Sequence, residues 1–343
     1  MVRYIIIGAG AVGGTVGARL HLAGHDVVLV ARGAHYEALR DSGLRFTEPE
    51  SVHEVPVSVV TGPEDVELGP DDVLVLAVKT QDGAAALDAW APRPVTGGGT
   101  AGERLPLLCA QNGVENERLA LRRFRRVYGV CVWLPSTYLE PGAVAAPCAP
   151  YTGILSLGRY PSGADDTIRR VGGRGPEGVR VSSRPVVPDL VTLEKYAKLI
   201  NTLVNAVEAI CGPLNGDEAQ ALAARAKAEG IAVLDAAGIA HADADEQTAL
   251  RSGKVEIRPP DGVERGGGSS WQSLTRGTGT IETDYLNGEI VLLGREHGIP
   301  TPVNETLGRI AGDCARERRA PGSMTPGRLT ALIDAAGSPS TPR

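Results

Sequence analysis

The stretch "VRYIIIGAGAVGGTVGARL", residues 2–20, decides the fold of the first half of this chain. Tyr4 to Ile7 is a short apolar, β-branched run bounded by glycine, which predicts a buried parallel strand. Gly8, Gly10 and Gly13 then match the pattern G-x-G-x-x-G. Each glycine is expected for a different reason. Gly8 permits a tight turn, Gly10 lets a pyrophosphate approach the backbone, and Gly13 lets the next helix pack close to the strand. That helix should start near Ala11, with its free amides pointing at phosphate. The loop from Gly8 through Ala9, Gly10, Ala11 and Val12 to Gly13 is the expected cofactor cradle. A glycine cluster by itself can also mark nothing more than a turn. Here the context adds weight: a helical stretch over Thr15–Leu22, a stop at Gly24, and a second strand, "DVVLVAR", completing a βαβ unit of about 30 residues.

The end of the second strand bears on the choice of cofactor. A carboxylate about 20 residues past the glycines would bind a ribose 2'-hydroxyl. This strand ends instead in Val30, Ala31 and Arg32. Arg32 can pair with a 2'-phosphate and stack on adenine, so NADP(H) is expected; a plain surface arginine is the alternative.

Further strands are expected at Val57–Val60, at 71–79 ("DDVLVLAVK") and at 105–113 ("LPLLCAQNG"). Their alternation with helical stretches predicts a doubly wound α/β sheet, in which ligands bind at the carboxyl ends of strands. Lys79 and Asn112 fall at such ends, as cofactor or substrate contacts, or else as a solvated lysine and an Asn-Gly turn. "VYGVCVWLP", "GAVAA", "GILSLGRY" and "GVRVSS" should complete the sheet, partly antiparallel, with Pro185 and Pro188 marking a boundary.

Strand signals largely vanish after Asp189. "LVTLEKYAKLINTLVNAVEAICG" predicts one long helix ended by Gly212. Leu199, Ile200, Leu203, Val204, Val207 and Ile210 form its apolar arc. Lys198, Thr202, Asn205 and Ala209 lie opposite, with Asn201 beside them. One lysine followed by short hydrogen-bonding residues suits a cleft wall, though open solvent is the other reading. An Ala-rich helix follows over 217–238. Ser269 or Ser270 could cap a helix near Trp271. Glu282 is expected in the first turn of a helix ending at Gly298, where its charge suits the helix dipole.

The chain has 343 residues, a formal charge of -6, 42% hydrophobic and 22% charged residues, and five scattered cysteines. Length alone suggests two domains. The acidic balance does not favour nucleic acid. The odd cysteine count without a CxxC pair argues against a disulfide framework and for a reducing, cytoplasmic setting. No signal peptide or membrane span is expected. The His21/His25 pair reads as a helix C-terminus rather than as metal ligands, so no metal is expected.

Taken together, "IIIGAGAVGG", "LAVKTQD", "AQNGVEN", "KLINTLVNAVEA", "SSWQSLTRGTGTIETDYLNG" and "HGIPTPVNETL" resemble the ketopantoate reductase family, in the family's order and up to about residue 310. The resemblance implies an N-terminal Rossmann dinucleotide-binding domain, here 1–187, and an all-helical substrate domain, here 188–335, with 336–343 as a frayed tail. It implies NADPH and a small-molecule 2-oxo acid in the cleft between them, and reduction of 2-dehydropantoate to (R)-pantoate. The family's general-acid lysine falls on Lys198, its glutamate near the substrate hydroxyl on Glu282, and its carboxylate-binding serine on Ser270. Its loop asparagine falls on Asn112 and its strand-end lysine on Lys79. Asn201, Thr202 and Asn205 complete the expected substrate contacts.

One position departs from the pattern. The family commonly has asparagine four residues after the lysine, whereas Thr202 stands there and Asn201 comes one residue earlier. Aligning on Asn201 and Asn205 would put Ala197 at the acid's position, so Lys198 is preferred. The departure keeps a different 2-oxo acid or ketone open as substrate, with a non-catalytic NADPH sensor as a third reading. A homodimer through the helical half is compatible with the sequence.

Overall fold

The computed structural model describes residues 2–163, 165–172, 179–182, 190–259 and 267–337. The chain divides into two compact units, Met1–Lys195 with Asp243–Glu264, and Tyr196–Ala242 with Arg265–Arg343. The expected boundary at Pro185 and Pro188 and the end of the tail lie outside the described residues.

The first unit is built on β1 (Arg3–Ile7), α1 (Ala11–Leu22), β2 (Asp26–Val30), α2 (Gly33–Ser42), β3 (Leu44–Glu48), β4 (Ser51–Val55) and β5 (Ser58–Val60). Next come β6 (Val73–Leu76), α3 (Thr80–Trp90), α4 (Ala101–Arg104), β7 (Pro106–Cys109), α5 (Asn116–Leu121) and β8 (Arg126–Trp133). β9 (Ala143–Ala145), β10 (Cys148–Pro150), β11 (Gly153–Arg159), α6 (Asp166–Gly172) and β12 (Val179–Ser182) complete its N-terminal part. The main sheet has the order β12-β11-β8-β7-β6-β1-β2-β5. It is parallel from β5 to β8, whereas β11 runs antiparallel to β8 and carries β12 parallel to itself.

The strands are continuous apolar runs because both faces are covered. Tyr4, Ile6, Val27, Leu29, Val73 and Val75 enter one core cluster. Their neighbours Ile5, Ile7, Val28, Val30, Leu74 and Leu76 enter the cluster on the other face. β1 is the central strand at which the order reverses, so the crevice between the connections leaving β1 and β6 opens at its carboxyl end.

Two local expectations change. The hairpin β3–β4, not foreseen, forms a separate sheet in the order β4-β3-β9. "GAVAA" therefore joins β3 rather than the main sheet, with Phe46 opposite Val144. Phe46 and Val144 are 0% and 2% exposed, so burial of this pair rewards the pairing.

The second unit takes up α7 (Leu190–Thr202) from Tyr196 onward, α8 (Val204–Cys211) and α9 (Asp217–Ala236). α10 (Ala244–Arg251) and β13 (Val255–Ile257) belong to the first unit, where β13 pairs antiparallel with β10. The helical unit resumes with α11 (Ser269–Thr275), a 3-10 turn at Glu282–Tyr285, α12 (Asn287–His297), α13 (Pro302–Arg316) and α14 (Pro326–Gly337). The expected long helix is interrupted at Leu203, between α7 and α8, although the Leu203 N–H still bonds to Leu199 O at 3.1 Å. It ends at Gly212 with φ +88°, a conformation that glycine adopts without strain. Ser269 and Ser270 lie inside the first turn of α11, with Gly268 as its N-cap, rather than capping it. Glu282 sits in the 3-10 turn, separated from α12 by Leu286 at φ -113° and ψ -84°. Among the described residues no helix is long and apolar enough to cross a membrane.

Candidate functional site

At the carboxyl end of the main sheet, four neighbouring strands deliver the expected cofactor residues in a row. β2 leads to Arg32, β1 to the glycine loop, β6 to Lys79 and β7 to Asn112. Backbone bonds extend the ladder past the strand ends, with Ala9 N–H to Val30 O at 3.1 Å and Ala77 N–H to Ile7 O at 2.9 Å.

The three glycines do different work. Gly8 has φ +104°, and a Cβ there would lie 2.8 Å from Val78 N. At Gly13 a Cβ would come within 1.9 Å of Gly8 O and 3.0 Å of Ile6 Cγ2, so the close approach of α1 to β1 requires glycine. At Gly10 the nearest atom to a Cβ would be Tyr138 Cδ1 at 4.0 Å. The protein's own packing therefore does not demand glycine at position 10; the space in front of it is kept clear. α1 has no side-chain cap and no acidic residue in its first turn. The first amides of a helix have no intrahelical acceptor, and an anion can take them. This cradle fits a pyrophosphate. The backbone of Ala9 serves the loop itself, since its N–H bonds to Val30 O and its carbonyl meets His35 Nε2 at 2.8 Å.

His35 gave no signal in the sequence. It is 8% exposed, and the Gly142 N–H donates to its Nδ1 at 2.9 Å. With Nδ1 accepting, Nε2 must carry the proton given to Ala9 O, so the ring is held neutral. Burial pushes its pKa below the ordinary 6.5. The ring rests on Tyr138, centroids 4.5 Å apart.

Arg32 is exposed at the N-cap of α2. Lys79 and Asn112 are half-buried. Beside Asn112, Gln111 is 4% exposed, and neither its Nε2 nor its Oε1 has a hydrogen-bond partner among the described residues. Lys195 forms an ion pair with Glu117, their side chains 6% and 2% exposed. Burial raises the Glu117 pKa, and the nearby ammonium opposes that shift. A signal for Lys195 was present: it stands four residues before Leu199, on the apolar stripe, where a lysine needs a buried partner.

In the helical unit the expected substrate residues are each engaged differently. Asn201 donates to Ala197 O at 3.2 Å and accepts from Lys227 Nζ at 3.1 Å. Thr202 is 8% exposed and donates to Leu199 O at 2.8 Å, so its hydroxyl serves its own helix. Ala209, expected on the polar face, is 0% exposed, which shortens that face. Asn205 Nδ2 donates to Ser269 Oγ at 3.3 Å. One turn on, the Glu208 carboxylate accepts the Gly268 N–H at 2.6 Å and holds the start of α11 against α8. Ser270 is 1% exposed, and its Oγ has no hydrogen-bond partner among the described residues. Lys198 is half-buried on α7, and Glu282 is 3% exposed.

Comparison with known proteins covers both halves. The family model described as "Ketopantoate reductase PanE/ApbA" matches residues 4–158. Its C-terminal counterpart matches residues 191–313. The 2-dehydropantoate 2-reductase of Archaeoglobus fulgidus is 31% identical over 312 residues, 89% of this chain and 95% of the relative. That of Mesorhizobium japonicum is 30% identical over 350 residues, covering 92% and 98%. A PanE/ApbA family ketopantoate reductase from Ralstonia eutropha superposes with a TM-score of 0.72 at 28% identity, over 93% of this chain and all (100%) of that one. A D-mandelate dehydrogenase at 20% identity shares the fold, with a TM-score of 0.72 over 93% and 100%. The family implies a nicotinamide dinucleotide as hydride carrier and a CH-OH/C=O pair as the reacting group. This chain is an oxidoreductase belonging to the ketopantoate reductase family.

Proposed function

We propose that the protein reduces 2-dehydropantoate to (R)-pantoate with NADPH, a step towards pantothenate and coenzyme A. The observation that carries the reading is the row of Arg32, glycine loop, Lys79 and Asn112 on four adjacent strand ends, joined to a family whose relatives bear that activity's name. The choice of NADPH is supported by Arg32: it is exposed, no ion pair engages it among the described residues, and no carboxylate ends β2. A 2'-phosphate would pair with its guanidinium, while the amides at the start of α1 would hold the pyrophosphate. Lys79 and Asn112 would contact the nicotinamide end.

The bound dinucleotide supplies a hydride to C2 of the 2-oxo acid. The ammonium of Lys198 gives its proton to the C2 oxygen and offsets the negative charge developing there. Glu282 accepts a hydrogen bond from the new hydroxyl and orients it. Ser270, whose buried hydroxyl has a bond to give, holds the carboxylate, and Asn205 the side-chain hydroxyl.

A second reading, reduction of another 2-oxo acid or ketone, draws on Thr202: its hydroxyl is spent on Leu199 O, so it does not replace the asparagine amide common in the family. Both readings are tested by following oxidation of NADPH with 2-dehydropantoate, with a panel of other 2-oxo acids and ketones, and with NADH in place of NADPH. Turnover confined to 2-dehydropantoate and NADPH is expected. Faster turnover of another ketone moves the substrate, and binding of NADPH without any turnover sinks both readings.

A further inference from the structure

His35 is the third residue of α2, the helix that begins directly after Arg32. It is buried, and no step of the reaction proposed above uses it. Its two ring nitrogens tie the glycine loop to the connection between β8 and β9. Nε2 meets Ala9 O at 2.8 Å, and Nδ1 accepts the Gly142 N–H at 2.9 Å. All of these residues lie in the first unit.

The bond to Ala9 O reaches the cradle through one peptide plane. The Ala9–Gly10 bond is trans, and in a trans peptide the carbonyl and the following N–H point in opposite directions. With Ala9 O drawn to His35, the Gly10 N–H points away from the ring. No backbone acceptor takes it among the described residues. Bonds on either side keep the plane from turning: Ala9 N–H to Val30 O at 3.1 Å and Gly14 N–H to Gly10 O at 2.7 Å. An unspent backbone N–H at the start of α1 suits a phosphate oxygen.

The bond from Gly142 holds the rim of the cradle. The β8–β9 connection is closed by Thr137 N–H to Ala145 O at 2.7 Å and Ala145 N–H to Thr137 O at 2.9 Å. Gly142 has φ +79°, and a Cβ there would lie 3.0 Å from Ala38 Cβ. The connection is therefore pressed onto α2 one turn beyond His35. It also carries Tyr138, whose ring packs on His35 and whose Cδ1 borders the clear space at Gly10. The two bonds need an acceptor at the δ position and a donor at the ε position of one rigid side chain. Neutral histidine offers that pair; asparagine has only the δ acceptor and glutamine only the ε donor.

We propose that His35 is a positioning residue of the dinucleotide site: through Ala9 O it aims the Gly10 N–H at the pyrophosphate, and through Gly142 it holds Tyr138 at the edge of the cradle. The inference rests on the cofactor reading above and deepens it. His35 itself touches neither substrate nor cofactor.

The test uses the full chain and the variants H35L, H35N and H35Q. Calorimetry gives the Kd of NADP+, which contains the pyrophosphate, and of adenosine 2'-monophosphate, which does not. Thermal unfolding is followed alongside. H35L and H35N lose the donor to Ala9 O and should raise the Kd of NADP+ by about tenfold or more. H35Q keeps that donor and should stay within about threefold of wild type. The Kd of adenosine 2'-monophosphate should stay within about twofold in every variant, a pattern that general loosening of the fold would not produce. If H35L fails to fold, the contrast between H35N and H35Q carries the test. Wild-type NADP+ affinity in H35N, or equal losses for the two ligands, overturns the proposal. A wild type that prefers NAD+ changes the cofactor reading only, and the same contrast is then read with NAD+ against adenosine. A wild type that binds neither dinucleotide overturns both.

Discussion

Gly10 and Gly13 are three residues apart and both match one motif, yet the structure assigns them opposite liabilities. In Gly13→Ala the new Cβ would sit 1.9 Å from Gly8 O, with Ile6 Cγ2 at 3.0 Å and Ala77 Cβ at 3.1 Å. The nearest of these is backbone, so α1 must move away from β1. Overpacking of this kind costs about 1–3 kcal/mol, and a backbone clash belongs at the upper end. At about 2–4 °C per kcal/mol for a unit of this size, Tm should fall by about 6–12 °C. In Gly10→Ala the Cβ meets nothing closer than 4.0 Å, and φ is -70°, which alanine adopts freely. Alanine is a poorer N-cap than glycine, but it lowers the entropy of the unfolded chain; the two effects offset to within about 1 kcal/mol. Its Tm should therefore stay within about 4 °C of wild type. What Gly10→Ala loses is the approach of the phosphates, so the Kd for NADPH should rise by about tenfold or more, equivalent to at least about 1.4 kcal/mol. Thermal unfolding and titration of NADPH fluorescence read the two quantities separately. Wild-type NADPH affinity in Gly10→Ala would refute the assignment of the cradle, as would a Tm loss equal to that of Gly13→Ala.

Three further outcomes are expected. Lys198→Ala should lower turnover by about 10²–10⁴-fold while leaving the Kd for NADPH unchanged, and near-normal turnover would remove Lys198 from the role of acid. Glu117→Ala leaves a buried ammonium without its partner and should cost about 3–5 kcal/mol in urea unfolding; the double variant Glu117→Leu/Lys195→Met should cost clearly less, and equal costs would show that the pair is not coupled. His35 is neutral in the fold with a pKa below 6.5, so its stabilising contribution is present above about pH 6.5 and is lost as pH falls below that value, by up to about 1.36 kcal/mol per unit. Urea unfolding at about pH 7.5 and pH 5.5 should show a larger acid-side loss in wild type than in His35→Gln, and equal losses would remove His35 from this account.

Much of the fold is legible in local pattern. A β-branched run ending in glycine marked β1, and the glycine spacing marked α1. The apolar arc marked α7 and α8, because a helix that buries one face repeats its apolar residues every three to four positions. The hairpin β3–β4 was not legible. "LRFTE" and "SVHEV" alternate weakly, and their pairing is rewarded only when Phe46 is buried opposite Val144, about 100 residues away. β13, in "KVEIRP", is three residues long, too short to announce itself among helices. At the site, residue types were readable but their engagement was not. Asn201 and Thr202 look alike as short polar residues on a helix, yet one is held by Lys227 and the other by its own backbone.

The sequence by itself determined the class of the protein: a parallel sheet with a phosphate loop, a helical second half, and the family to which both belong. The sheet, the loop and the helical half follow from periodicity and spacing, which are local; the family follows from the resemblance of the six quoted stretches. Only the tertiary structure decided which glycine is required by packing and which keeps a space clear. Only it showed that Lys195 is neutralised by Glu117, that His35 holds the Ala9 carbonyl, and that Arg251 lies on Trp133. Each of these depends on two residues far apart in the chain meeting in a water-poor interior, where an unmatched charge or clash is costly. No local pattern encodes that meeting.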